Sequence, residues 1–110
     1  MSTQDLLQTM TQRMNERPDG IQNVKAVYQF DLKGDGGVTS HQVRLADGSA
    51  EYAEGTPFEA DCTLQLSDDH FIKLAEGKLN PATAMMTGKL KLKGSMGLAA
   101  KLQSLLKDYQ

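Results

Sequence analysis

Residues 61–105 read DCTLQLSDDHFIKLAEGKLNPATAMMTGKLKLKGSMGLAAKLQSL, and this stretch decides the fold. Cys62, Leu64 and Leu66 alternate with Thr63 and Gln65, the period of a strand with one buried face. Ser67-Asp68-Asp69 then opens a helix, because the serine can accept from orphan N–H groups and the aspartates favour the positive helix end. Phe71, Leu74 and Ala75 form its inner stripe, and Gly77 stands where a left-handed cap is expected. Asn80-Pro81 starts a second short helix through Ala84-Met85-Met86. After Gly88 comes another strand, with Leu90 and Leu92 facing in and Lys89, Lys91 and Lys93 facing out. Gly94-Ser95 introduces a last helix with Met96, Leu98, Ala99, Leu102, Leu105 and Leu106 on its apolar side.

Working outward from there, the first half supplies a helix and a meander. Leu6, Leu7, Met10 and Met14 make an amphipathic stripe that Ser2 or Thr3 can cap, and Pro18-Asp19-Gly20 ends it. From Val24 to Leu32 the period becomes two, with Val24, Ala26, Tyr28, Phe30 and Leu32 on one face. Gly34-Asp35-Gly36-Gly37 turns into a second strand at about Val38–Leu45, and Asp47-Gly48 turns into a third at Ser49–Glu54. The chain therefore reads as one α+β domain over residues 1–110, a five-stranded, mainly antiparallel sheet covered on one face by helices.

Charge is unevenly spread. Residues 1–87 hold thirteen acids against seven bases, whereas residues 88–110 hold five lysines against Asp108 alone. Such a cationic end suits transient contact with an anionic membrane or simply a solvated strand and helix face. Basic residues do not interleave with stacking aromatics and tryptophan is absent, so nucleic acid is not an expected partner. The first twenty residues lack the charged start and apolar run of a secretion signal, and Lys107-Asp108-Tyr109-Gln110 matches no peroxisomal or reticulum address. The single Cys62 excludes an internal disulfide, so a monomeric cytoplasmic protein is expected.

Little in the chain suits covalent chemistry. His41 and His70 fall on different elements without Cys or Glu at ligand spacing, so neither metal nor other cofactor is expected. Cys62 sits on the apolar side of a strand, and Asp68-Asp69 are explained by the helix start. The glycines at 34–37 lack the spacing and lysine of a phosphate loop. A small enzyme using Asp68, His70 or His41 is the remaining catalytic alternative. Against it stands the apolar inventory of Met85, Met86 and Met96 with Phe71, Leu90, Leu98 and Leu102, flexible surfaces suited to varied ligands. Periodicity alone does not separate a packed core from a lined tunnel.

The words of the sequence add to this. Ala60-Asp61-Cys62-Thr63, Phe71 with Leu74, and Gly77-Lys78-Leu79-Asn80-Pro81 resemble the sterol carrier protein type two family, the non-specific lipid-transfer proteins. So do Gly88-Lys89-Leu90-Lys91, Gly94-Ser95-Met96-Gly97-Leu98-Ala99 and Lys101-Leu102-Gln103, and more loosely Tyr28–Gly34 with Gly36-Gly37. The resemblance implies a five-stranded sheet with helices on one side and a hydrophobic tunnel between. It implies fatty acids, fatty acyl-CoA, sterols or phospholipids as ligands, and with so little suited to covalent chemistry the chain is not expected to be an enzyme. The implied lining is Phe30, Phe71, Leu74, Met85, Met86, Leu90, Met96, Leu98, Leu102 and Leu105, with the last helix at the opening. The family's second-strand tryptophan is missing near Val38-Thr39-Ser40. Met85-Met86 replaces an aromatic pair and Thr87 a glutamine, which favours flexible acyl chains over flat sterols. The alternative function is an accessory or regulatory domain partnering an enzyme of lipid metabolism.

Overall fold

The structure, a computed structural model, describes residues 2–109; Gln110, the last residue of the C-terminal tetrapeptide, lies outside them. Helix α1 (Thr3–Glu16) begins at a capping box. The Ser2 hydroxyl accepts from the Asp5 N–H at 3.1 Å and the Asp5 carboxylate accepts from the Ser2 N–H at 3.4 Å. Its stripe buries Leu7, Met10, Thr11 and Met14. A single 3₁₀ turn at Pro18–Gly20 follows, then β1 (Ala26–Gly34), β2 (Gly37–Ala46) and β3 (Ser49–Glu54). The first strand starts two residues later than its apolar alternation, because the Val24 N–H is taken by the Ile21 carbonyl at 3.1 Å.

β4 (Cys62–Ser67) runs straight into α2 (Asp68–Ala75), then α3 (Pro81–Met86), β5 (Leu90–Gly94) and α4 (Met96–Asp108) complete the chain. Two of these helices have the expected side-chain cap, Ser67 accepting from the His70 N–H at 3.1 Å and Asn80 from the Ala82 N–H at 2.8 Å, and α4 is capped by Ser95, which accepts from the Leu98 N–H at 3.2 Å.

The strands lie in the order β3-β2-β1-β4-β5. Neighbours are antiparallel except β1 and β4, which pair parallel from Tyr28 opposite Cys62 to Lys33 opposite Ser67. That pair arises because residues 55–61 carry the chain from one side of β1 to the other. They cross the sheet's polar face, where the Phe58 backbone bonds both ends of the Gln42 amide. On the other face the register aligns Tyr28 with Val43 and Cys62, and Phe30 with His41 and Leu64, so apolar side chains form a continuous layer under the helices. The Phe30 and Phe71 rings meet edge to face at 5.3 Å, joining α2 to that layer. At the far edge β5 comes so close to Asp61 that only glycine fits at Gly94: its φ is +96°, and a Cβ there would overlap the Asp61 carbonyl.

Candidate functional site

The apolar stripe of α1 and that of α4 face each other across the sheet. Between them lies an enclosed cavity of about 20 Å³. From α1 come Leu7, Met10, Thr11 and Met14; from β1 and β2 come Tyr28, Phe30, Val43 and Leu45; from α4 come Leu102, Leu105 and Leu106. Its two polar side chains are turned to other partners. The Thr11 hydroxyl donates to the Leu7 carbonyl at 2.8 Å, and the Tyr28 hydroxyl donates to the Leu98 carbonyl at 2.6 Å. Burial raises the Tyr28 pKa, so its proton stays in that bond. The cavity wall thus offers dispersion and water exclusion, with no fixed polar anchor.

The ten residues of the sequence reading fall into three groups. Phe30, Leu102 and Leu105 line the cavity. Phe71, Leu74 and Leu90 are buried in the same apolar layer, and Met85 and Leu98 pack partly buried at its margin. Met86 and Met96 point away from it, 88% and 63% exposed, and take no part in the lining. Met86 ends a six-residue helix whose buried position is occupied by Ala84, and Met96 is the first residue of α4, outside the buried set Leu102, Leu105 and Leu106. The reading did not place the α1 residues, Tyr28, Val43, Leu45 or Leu106 at the site. The signal was present in the stripe Leu7-Met10-Met14 and in the alternation of β1, but which apolar faces meet is decided by packing.

Of the groups weighed as catalytic, His41, Cys62 and Asp68 are held in other roles, and His70 is half-buried with its backbone N–H in the Ser67 cap. His41 is buried, with Nδ1 2.7 Å from the Tyr52 hydroxyl and Nε2 2.9 Å from the Thr39 hydroxyl. Burial lowers its pKa, outweighing the nearby charges of Glu54 and Asp68, so the ring is neutral near pH 7. Cys62 is fully buried, and burial with the charge of Asp61 raises its thiol pKa, the reverse of what a nucleophile needs. Asp68 accepts from the Thr3 hydroxyl at 3.2 Å at the head of α2. Among the described residues no group of three or more His, Cys, Asp or Glu side chains is placed to hold a metal ion. No described helix is long and apolar enough to cross a membrane.

An α+β shell with an apolar cavity between its helices and sheet fits a protein of the lipid-binding class. The chain belongs to the SCP-2 sterol transfer family, whose model matches residues 1–107. The structure is similar to "Sterol Carrier Protein 2 from Yarrowia Lipolytica (apo form)", with a TM-score of 0.80 and 33% identity over 96% of this chain and 89% of that one. It is also similar to a palmitated SCP2L2 from Aedes aegypti, with a TM-score of 0.76 and 25% identity over 96% and 95% of the two chains. Among curated relatives, hydroxysteroid dehydrogenase-like protein 2 of Bos taurus is 43% identical over 89 residues. That alignment takes in 80% of this chain but 21% of the relative, so the chain spans about a fifth of that protein's length.

Proposed function

We propose that this protein binds one acyl chain at a time, as fatty acid or fatty acyl-CoA, between α1, α4 and the sheet, and shields it from water in transit. The observation that carries this reading is the wholly apolar wall of a cavity bounded on one side by a single helix. A space of about 20 Å³ holds about one water molecule. An acyl chain therefore enters by displacing Leu102, Leu105 and Leu106 of α4. Exposing three such side chains costs roughly 5–9 kcal/mol, while each methylene buried contributes about 0.8 kcal/mol, so roughly ten carbons offset the opening. The palmitated structure from Aedes aegypti supports an acyl ligand for this fold. A rigid sterol needs a wider and flatter opening and is the less favoured ligand. The lysines of residues 88–110 support brief contact with anionic membranes, and we place the protein in the cytoplasm as a monomer.

A second reading has one observation in its favour. The Bos taurus relative is far longer than this chain, which is how a module would look that presents lipid to an enzyme partner. The two readings share the cavity and differ in what receives the ligand.

Native mass spectrometry with saturated fatty acids of increasing length tests the acyl-chain reading. Affinity should be negligible at eight carbons and rise about fourfold per methylene beyond the break-even length. Val43→Phe, which fills the cavity, should weaken palmitate binding at least about tenfold while the protein stays folded. Equal binding of octanoate and palmitate, or full binding by folded Val43→Phe, would overturn the reading.

A further inference from the structure

Helix α4 is fastened along one flank. Toward α1 and the Pro18–Gly20 turn, the Tyr109 side chain is buried, its hydroxyl donating to the Arg17 carbonyl and accepting from the Gly20 N–H at 3.1 Å. Residue 20 must be glycine for this approach, since a Cβ there would lie 2.9 Å from the Tyr109 hydroxyl. Arg13 donates to the Tyr109 carbonyl and Arg17 to the Asp108 carbonyl, each at 3.3 Å. The Arg17 guanidinium also sits 5.5 Å over the Tyr109 ring. At the other end of the helix, the Tyr28 hydroxyl holds the Leu98 carbonyl. On the opposite flank, toward residues 68–87, Leu74 and Leu106 are apolar walls of one groove. Among the described residues no hydrogen bond or ion pair ties α4 to that segment.

That loosely held flank borders a groove of about 540 Å³ between α4 and the Gly77–Pro81 turn. Leu106 is a wall of both the groove and the enclosed cavity. Lys78 and Lys107 stand on the groove's rim with Gln103, and Glu76, 3.8 Å from the Lys78 ammonium, is the single acid among the lining residues. The rim therefore carries one net positive charge beside an apolar wall, the pattern that fits one carboxylate at the end of a hydrocarbon chain.

We propose that this groove is the mouth and head-group subsite of the cavity. The hydrocarbon passes beneath Leu106 as α4 swings on its Tyr109 and Tyr28 attachments, and the carboxylate of a free fatty acid stays at Lys78 and Lys107. This assignment rests on the acyl-chain reading above and adds the ligand's charge and direction of entry.

The test compares palmitate with hexadecanol, the uncharged alcohol of the same length, on the full chain. Lys78 and Lys107 are exposed, so the double charge reversal Lys78→Glu with Lys107→Glu leaves the core untouched. It should weaken palmitate about tenfold and change hexadecanol by less than about twofold, an effect that diminishes at high salt. The control, Lys25→Glu with Lys101→Glu, reverses charges beside the opposite flank of α4 and should leave both ligands unchanged. Equal losses for palmitate and hexadecanol, no loss for palmitate, or a palmitate loss in the control would each overturn the subsite. A larger loss for palmitoyl-CoA than for palmitate would overturn its assignment to a carboxylate. Failure of the unaltered protein to bind either sixteen-carbon probe would overturn the acyl-chain reading itself, and the subsite with it.

Discussion

The two faces of the sheet are built from alternate residues of the same strands, yet they solve opposite problems. On the polar face Gln42 is fully buried, and its amide donates to the Gln29 side chain and the Phe58 carbonyl, both at 2.9 Å, while accepting from the Phe58 N–H at 3.0 Å. Beside it Asp31 accepts from Gln29 at 3.0 Å, Ser40 at 2.8 Å and Gln65 at 3.3 Å. Partial burial would raise the Asp31 pKa, but these bonds and the charge of Lys93 hold it below the ordinary carboxylate value. Directional bonds of this kind admit one arrangement. On the helix face, Met10, Met14, Leu102 and Leu105 meet through contacts with no preferred direction, so the layer can re-form around a guest. On the function proposed above, the protein is pinned on the polar face and left adaptable on the face that would receive the ligand.

The largest break in this contrast is expected at the boundary between core and cavity. Phe71→Ala removes a fully buried ring from against Phe30 and should cost about 3–5 kcal/mol in urea unfolding. Next comes the polar face. Gln42→Leu leaves the Phe58 N–H and carbonyl without their partner and should cost about 1–3 kcal/mol. Amide exchange should quicken across residues 55–61, while palmitate affinity changes little; a large loss of affinity would mean that the two faces are not separable.

The smallest effect is that of pH. His41 has a folded pKa below its ordinary 6.5, so the unfolded chain takes up its proton first as pH falls. Its stabilisation is present above about 6.5 and is lost as pH falls from there through the depressed folded value. Thermal unfolding from pH 7.5 down to pH 5.5 should therefore show a declining midpoint, and His41→Phe should flatten that decline. A variant profile parallel to the wild type would contradict the assignment to His41.

Much of the architecture was legible because the chain marks its own boundaries. Ser67, Asn80 and Ser95 cap the three later helices where their residue types place them, and Asp47-Gly48 turns the second hairpin with positive φ at both residues. Alternation assigned Tyr28, Phe30 and Leu32 to the buried face. What alternation does not contain is neighbourhood. The parallel partnership of β1 with β4 depends on a crossing loop, and Gln42 is buried because that loop lies over a polar residue. Met86 and Met96 obey helical spacing, but at helix ends where no partner covers them. Tyr109 is one aromatic near the terminus, and only the fold brings it to Gly20.

The most direct test of the account is an NMR spectrum of the protein with fatty acids spin-labelled at either end. A label near the methyl end should broaden the amides of Met10, Val43 and Leu45 around the cavity, and a label near the carboxylate those of Lys78 and Lys107. Broadening centred on exposed Met86 and Met96, with the cavity residues untouched, would contradict it.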